Sequence, residues 1–420
     1  MSKVAGSPTP GRSYPWAVVG MLWSVCFFNY ADRQSIFAVF PVLEHEFHFT
    51  KYDLGLIASV FMWLYAFAAP FAGYIGDRFR RKTLILGGCV FWSSVTAMTG
   101  LCRSLPSFVT VRALAGMGET FYFPASMSML SDYHGPATRS RALSLHQSGV
   151  YAGTIAGSFL GALFAETIGW RAGFYVFGAA GALLSLMLFR FLREPLRETA
   201  DTAASASEPA PKLLEAIVMV FKKPIGWLLM LAFAGANFVG AIFLSWTPSF
   251  LHDKFGFSLT KAALLGPAAI HLPSIIGVPV AGWLADRLAK RLRGGRAIVQ
   301  AIGLIAGASF VYLVGSTTSG STILVAMMGF GVCKSFYDSG IFASLYDVVP
   351  VRARGTAAGV MNTVGWGGGA LGPVAVGWLT MHGASGTQMG NMSHAIALSS
   401  SVYVFSAAVL IAAAIFLERV

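Results

Sequence analysis

The chain is short of charge. Asp, Glu, Lys and Arg make up 11% of its 420 residues, and only 18 are acidic. Water-soluble domains carry roughly 25% charged residues, so this chain lacks the polar groups to cover a globular surface. Cysteine is scarce as well. Cys26, Cys89, Cys102 and Cys333 show no paired spacing and lie in or beside apolar runs, which argues for small packing residues rather than disulfides or metal ligands. No GxxxxGK[ST] stretch occurs, so nothing supports direct ATP drive within the chain. No nucleophile–base constellation or metal-ligand set stands out, and neither an enzyme nor a cofactor or metal is expected. Glu44-His45-Glu46-Phe47-His48 lacks HExxH spacing and reads as a solvated external loop.

What the chain has in quantity is apolar length. Hydrophobic residues reach 55% and mean hydropathy is +0.66. Apolar segments of about 20 residues, the length that crosses a ~30 Å hydrocarbon core, recur throughout. Twelve spans are expected near 16–40, 53–75, 83–101, 106–130, 142–165, 170–192, 225–250, 259–284, 296–315, 321–348, 356–382 and 393–416. The expected fold class is an all-α membrane protein of twelve transmembrane helices in two six-helix bundles. Residues 1–192 form the first bundle and 225–420 the second, with 193–224 as a polar Ala/Ser/Thr/Pro linker between them.

The net charge of +12 follows the topology. Most Lys and Arg fall at the N-terminus, the even-to-odd loops, the linker and the C-terminus, while Lys51, Arg103, Arg171, Lys254 and Lys261 lie on the other side. Positive-inside bias then places both termini in the cytoplasm of a multi-pass protein of the cell (inner) membrane. No nucleic-acid partner is expected. The first apolar run is too long for a signal-peptide core and reads as a retained anchor.

The chain also repeats itself. Gly73-Tyr-Ile-Gly-Asp77-Arg78-Phe-Arg-Arg81-Lys82 and Gly282-Trp-Leu-Ala-Asp286-Arg287-Leu-Ala-Lys290-Arg291 are offset by 286 − 77 = 209 residues. Asp132-Tyr-His-Gly-Pro136-Ala-Thr-Arg139-Ser-Arg141 resembles Asp347-Val-Val-Pro350-Val-Arg352-Ala-Arg354. Two landmarks repeated in order indicate homologous halves, an architecture common among transporters with a ligand site between the halves. Gly149, Gly153, Gly157 and Gly161 recur every turn on the fifth span and permit close helix approach. Gly367-Gly-Gly369-Ala-Leu-Gly372 matches a dinucleotide fingerprint in letters only, with no strand before it, and reads as helix packing.

Six charges fall deep within these spans: Asp32, Arg33, Arg112, Glu119, Lys334 and Asp338. A charge near the bilayer centre costs at least ~2.5–3.5 kcal/mol and usually faces a cavity or a partner. Arg112 and Glu119 are two turns apart on one face, Lys334 and Asp338 are spaced for an intrahelical pair, and Asp32 and Arg33 must diverge by about 100°. Asp32, Glu119 and Asp338 are the candidate proton carriers. Arg33, Arg112 and Lys334 are the candidate anion contacts, with Asn29, Tyr30, Gln34, Tyr122, Gln147, Asn237, Tyr337 and Asn362 as polar neighbours. His146 and His271 read as packed, satisfied histidines.

The Gly73–Lys82 stretch and its second copy resemble the helix two–three signature of the major facilitator superfamily. Asn29-Tyr30-Ala-Asp32-Arg33, Gly118-Glu119 with Phe123-Pro124, and Gly169-Trp170-Arg171 are similar to the anion:cation symporter family within it. NYxDR and GE also resemble the spinster-like lipid transporters. The first resemblance implies alternating access, a midplane site, and a cytoplasmic gate network of Asp77, Arg78, Arg81, Asp286 and Arg287. The second implies proton-coupled symport of a small organic anion, a carboxylate or sugar acid, with Asp32 and Glu119 as proton carriers and Arg112 tuning Glu119. The spinster-like alternative is export of a lipid or amphipathic drug. Bilayer lipid, protons and the anion are the expected partners, and the protein is expected to be a monomer.

Overall fold

A computed structural model describes residues 13–135, 138–194, 221–222, 224–349 and 354–419. Among them are seventeen helices and no strand. In the first half, α1 (Tyr14–Ala38) and α2 (Phe40–Phe47) make the first crossing, followed by α3 (Lys51–Arg78) and α4 (Arg81–Thr99). Next, α5 (Leu105–Glu119) and α6 (Tyr122–Tyr133) make the fourth, and α7 (Arg139–Thr167) and α8 (Trp170–Phe191) complete the bundle. The second half begins with α9 (Pro224–Phe255), α10 (Leu259–Ala289) and α11 (Gly295–Ser316). Its later crossings are each in two pieces: α12 (Gly320–Asp338) with α13 (Ile341–Val348), α14 (Arg354–Gly369) with α15 (Leu371–His382), and α16 (Gln388–Leu398) with α17 (Ser400–Arg419). The result is twelve crossings in two pseudo-symmetric bundles.

Eight stretches are each long and apolar enough to cross a bilayer unaided. The first and fourth crossings, which carry Asp32, Arg33, Arg112 and Glu119, fall outside that set. Proline causes two of the helix breaks. Pro124 and Pro373 lack an N–H and crowd the carbonyls four residues back, at Thr120 and Gly369, where the fourth and eleventh crossings are interrupted. The first crossing runs further than its hydropathy predicts. Glu44 to Phe47 lie in α2, not in a loop, and Thr50 caps the next helix through a reciprocal capping box with Asp53.

In lipid, apolar burial does not drive helices together, so close packing must do it. The glycine stripe on α7 supplies it. A Cβ at Gly153 would lie 2.4 Å from the Phe27 carbonyl oxygen, and one at Gly157 would lie 2.3 Å from Ala31 backbone atoms. No side chain fits there, and α1 and α7 touch backbone to backbone. The Gly367–Gly372 run does the same for the second half, with Gly368 against Ala234 and Gly372 against Phe238. All four cysteines are free and buried.

Among the described residues the halves meet chiefly along two seams, α7 against α10 and α3 against α14 and α15, with a smaller contact of α1 on α9. A Cβ at Gly55 would lie 2.5 Å from the Pro373 oxygen, and one at Gly377 would lie 2.4 Å from the Lys51 oxygen. These contacts lie toward the end of the bundle opposite Tyr14. Ion pairs reinforce them: Lys51 Nζ reaches Glu44 at 2.5 Å and, across the seam, Asp253 at 2.8 Å. On the other seam, Thr260 donates to Glu166 from its hydroxyl at 2.5 Å and from its backbone N–H at 3.3 Å.

Candidate functional site: a midplane charge cluster

Glu119 closes α5 with 14 residues on either side of it in the fourth crossing (119 − 105 and 133 − 119). It therefore sits at half depth. Arg33 reaches it from α1, donating from Nε at 3.0 Å and Nη2 at 2.8 Å to the single oxygen Oε2. Both residues are almost fully buried, at 3% and 2% exposure. Aromatic rings box the guanidinium: Tyr30 at 4.6 Å, Phe61 at 4.7 Å, Tyr65 at 5.1 Å and, from the second half, Trp366 at 5.5 Å. Cation–π contacts of this kind contribute about 0.5–2 kcal/mol each, most where water is excluded.

Asp32 and Arg33 diverge as the helical period requires. Arg33 meets α5, whereas Asp32 turns to α4 and accepts a hydrogen bond from Thr96 Oγ1 at 3.3 Å. Its other oxygen, Oδ1, is buried without a partner. Arg112 does not pair with Glu119. Seven residues separate them by about 10.5 Å along the axis, and Arg33 reaches the carboxylate from a neighbouring helix instead. The Arg112 guanidinium lies over Phe61 at 4.4 Å, with Nε and Nη2 unpartnered. Phe61 thus has two cations against it.

The second cluster lies in the other half. Lys334 is 14 residues from each end of the tenth crossing (334 − 320 and 348 − 334) and forms an ion pair with Asp338 one turn on. These side chains are more accessible than Arg33 and Glu119, at 26% and 32% exposed. Beside Lys334 is a niche bounded on its polar side by Gln34 and His271 and on its apolar side by Phe243, Ile270 and Phe330. Gln34, from the first half, donates to the Leu244 carbonyl at 2.9 Å. Tyr151 and His271 bring the α7–α10 seam to the same place, with ring centroids 5.4 Å apart.

Several expected pocket residues are elsewhere. Tyr122 is fully buried in the first bundle, where its hydroxyl lies 2.6 Å from the Leu22 carbonyl and 2.9 Å from His146 Nε2. Tyr337 is 2% exposed within the second bundle's core. Asn237 bonds back to the Phe233 carbonyl of its own helix. Gln147 and Asn362 are half-buried on α7 and α14. The aromatic box of Phe61, Tyr65 and Trp366, and Thr96 beside Asp32, escaped the sequence reading. Uncharged residues in apolar helices carry no local signal, and only the fold brings them to Arg33.

Of the expected gate residues, the side chains of Asp77 and Arg78 lie outside the described residues. Arg81 forms an ion pair with Asp132, and its backbone N–H donates to Glu194 at 2.9 Å. In the second half Arg296 holds both Asp286, at 2.9 Å, and Asp347. Arg287 stacks over Trp283 at 5.3 Å. Arg81–Asp132 and Arg296–Asp347 share one offset, since 296 − 81 and 347 − 132 are both 215. Arg296 is therefore the counterpart of Arg81. The basic run at Lys290 and Arg291 hid this, because the second half carries six extra residues between its Asp-Arg motif and Arg296.

The Major Facilitator Superfamily profile matches residues 22–373 and again 272–419. The chain is 28% identical to an ascorbate transporter of Arabidopsis thaliana chloroplasts, over 88% of this chain and 70% of that protein. It is 26% identical to the hexuronate transporter of Bacillus subtilis, over 90% and 89%, and 29% identical to human protein spinster homolog 1, over 83% and 69%. A bacterial homolog of human Spinster, solved in an inward-facing and unoccupied conformation, shares the fold with a TM-score of 0.79 at 22% identity, over 98% of this chain and 97% of that one. Two pseudo-symmetric six-helix bundles around a midplane charge cluster, matched by the family profile over most of the length, place the chain in the Major Facilitator Superfamily as a membrane transporter.

Proposed function

We propose that the protein is a proton-coupled symporter of a small organic anion, working by alternating access. The observation that carries the reading is the division of labour at the midplane. Lys334 presents a reachable ammonium beside a niche, while Glu119 and Arg33 form a sealed acid–base pair at the same depth in the other half. An anion is drawn to the open cation. A proton on Glu119 removes the charge that holds Arg33 and frees the guanidinium, suited to bidentate carboxylate binding, for a substrate carboxylate. Asp32 and Asp338 are the further proton-accepting groups of the two clusters. Relatives described as ascorbate and hexuronate transporters support an anionic cargo.

Loop charge supports an orientation with both termini in the cytoplasm. In that orientation the Lys51–Asp253 and Thr260–Glu166 contacts close the outer side, and the pairs at Arg81 and Arg296 lie on the inner side, within their own halves. Such a state faces inward. The test is uptake into proteoliposomes under an imposed proton gradient. Concentrative anion uptake that collapses with the gradient and with Glu119→Gln is expected, whereas gradient-independent uptake ends the coupling assignment.

A further inference from the structure

We infer that the cargo is a compact carboxylate with an apolar body, and that polyhydroxylated acids are poorly bound. The inference rests on the anion-symport reading and narrows it. The niche beside Lys334 has a volume of about 30 Å³, room for roughly two or three water-sized groups. Its walls decide what those groups are. Phe243 and Phe330 stack at 4.3 Å between centroids and 18° between planes, and Phe330 is braced in turn by Tyr403 at 5.8 Å. Ile270 and Leu244 add aliphatic surface.

Hydrogen-bonding capacity there is small. One Gln34 amide N–H is committed to the Leu244 carbonyl and the Ile270 carbonyl accepts from Ser274, which leaves the rest of the Gln34 amide and the His271 imidazole, set against the Tyr151 ring, as the side-chain partners besides the Lys334–Asp338 pair. Lys334 keeps ammonium hydrogens beyond the one directed at Asp338, and these suit a carboxylate. A carboxylate on Lys334 would send its first two or three carbons into the niche. Methylenes gain by entering an apolar slot of that size. Sugar hydroxyls beyond the reach of Gln34 and His271 would each lose their water and find no partner, at a cost of about tenfold in affinity.

Gly240 sets the size of the slot. It lines the niche, and a Cβ built on it meets nothing within 4 Å. A Cβ there would enter open space without striking protein, and an alanine or valine is tolerated in a helix interior better than the glycine it replaces.

The test is titration calorimetry on the purified full chain, which avoids passive leakage of short acids through lipid. Acetate, propionate, butyrate, gluconate and glucuronate are the probes. Affinity should rise from acetate to butyrate by about fourfold per methylene, and gluconate and glucuronate should bind at least tenfold more weakly than butyrate. Lys334→Ala should abolish binding of every acid. Gly240→Val should cut the butyrate-to-acetate affinity ratio by about tenfold, and Gly240→Ala by less. Lys334-dependent binding of sugar acids as tight as butyrate overturns the inference and leaves the anion reading standing. So does a chain-length profile unmoved in Gly240→Val. Lys334-independent binding, or none to any acid, overturns both.

Discussion

Glu119 and Lys334 occupy matched positions in the two halves and carry opposite charge. They are 215 residues apart, the offset that also relates Arg81–Asp132 to Arg296–Asp347. Each sits midway along the fourth crossing of its bundle and each has one ionic partner, Arg33 for Glu119 and Asp338 for Lys334. The environments differ. The first pair is sealed among aromatic rings, and the second borders a niche. A duplicated scaffold therefore holds one sealed ion pair and one accessible ion pair at the same depth.

The sealed pair gives the first prediction. Removing one member of a buried ion pair strands the other charge, at a cost of about 3–5 kcal/mol. Arg33→Ala should therefore lower the apparent melting temperature sharply. Glu119→Gln strands the Arg33 charge in turn but keeps the shape and a hydrogen-bond acceptor, and should abolish gradient-driven uptake while sparing anion exchange. Melting curves read beside the two transport modes check this. Equal loss of exchange and concentrative uptake would leave Glu119 a purely structural role.

The α1–α7 seam gives the second. Gly157 meets Ala31 backbone at a distance no Cβ tolerates. Gly157→Val should force the helices apart and remove most monodisperse protein on size-exclusion chromatography. Gly20, where a Cβ meets nothing within 4 Å, should accept the same substitution with melting within about 1–2 °C of the parent. Similar behaviour of the two variants would show that close packing at Gly157 is not what joins the halves of the seam.

Much of this was legible in the chain. Apolar runs, the basic bias and the doubled Asp-Arg motif are local patterns, and they led to twelve crossings in two bundles. The one-turn glycine spacing on α7 likewise identified its packing face. The six buried charges stood out because charge in an apolar run is costly wherever the run folds. What stayed hidden was partnership. Spacing pointed Arg112 at Glu119, but periodicity describes one helix at a time, and Arg33 arrives from another. For the same reason Tyr122 and Tyr337 read as pocket residues when they pack inward, and Phe61, Tyr65 and Trp366 did not register at all.

Glu46 gives a prediction about pH. Partial burial raises its carboxyl's affinity for a proton. Hydrogen bonds from Trp170 Nε1 and Arg171 Nη1, both at 2.6 Å, together with the Arg171 charge, outweigh it and leave the group below the usual carboxylate range. A lowered folded-state value means the carboxylate stabilises the fold above its ordinary titration point. That stability is lost as pH falls through the folded value. The side chain is 36% exposed, so the effect is under about 1 kcal/mol. Melting of the parent should fall more steeply than that of Glu46→Gln from about pH 5 downward. Parallel profiles would dismiss Glu46 as the group responsible.

The Lys51 latch gives the last prediction. Lys51 is 5% exposed and joins Glu44 on its own half to Asp253 on the other. Both carboxylates are partly solvated, at 31% and 21%, so breaking the link should cost about 1–3 kcal/mol rather than the full figure for a buried pair. That cost falls on the state in which the halves are pinned, because separation would remove the contact in any case. Every 1.4 kcal/mol shifts a two-state population about tenfold, so Lys51→Ala should raise the fraction open at this end by roughly tenfold or more. Spin labels on His45→Cys and Ala384→Cys, exposed positions on the two halves at this end, would report it as a longer-distance population. The charge swap of Lys51→Asp with Asp253→Lys should restore the short distance. If Lys51→Ala leaves the distance distribution unchanged, the pair is a solvated contact, and the tight seams at Gly55 and Gly377 hold this end closed by themselves.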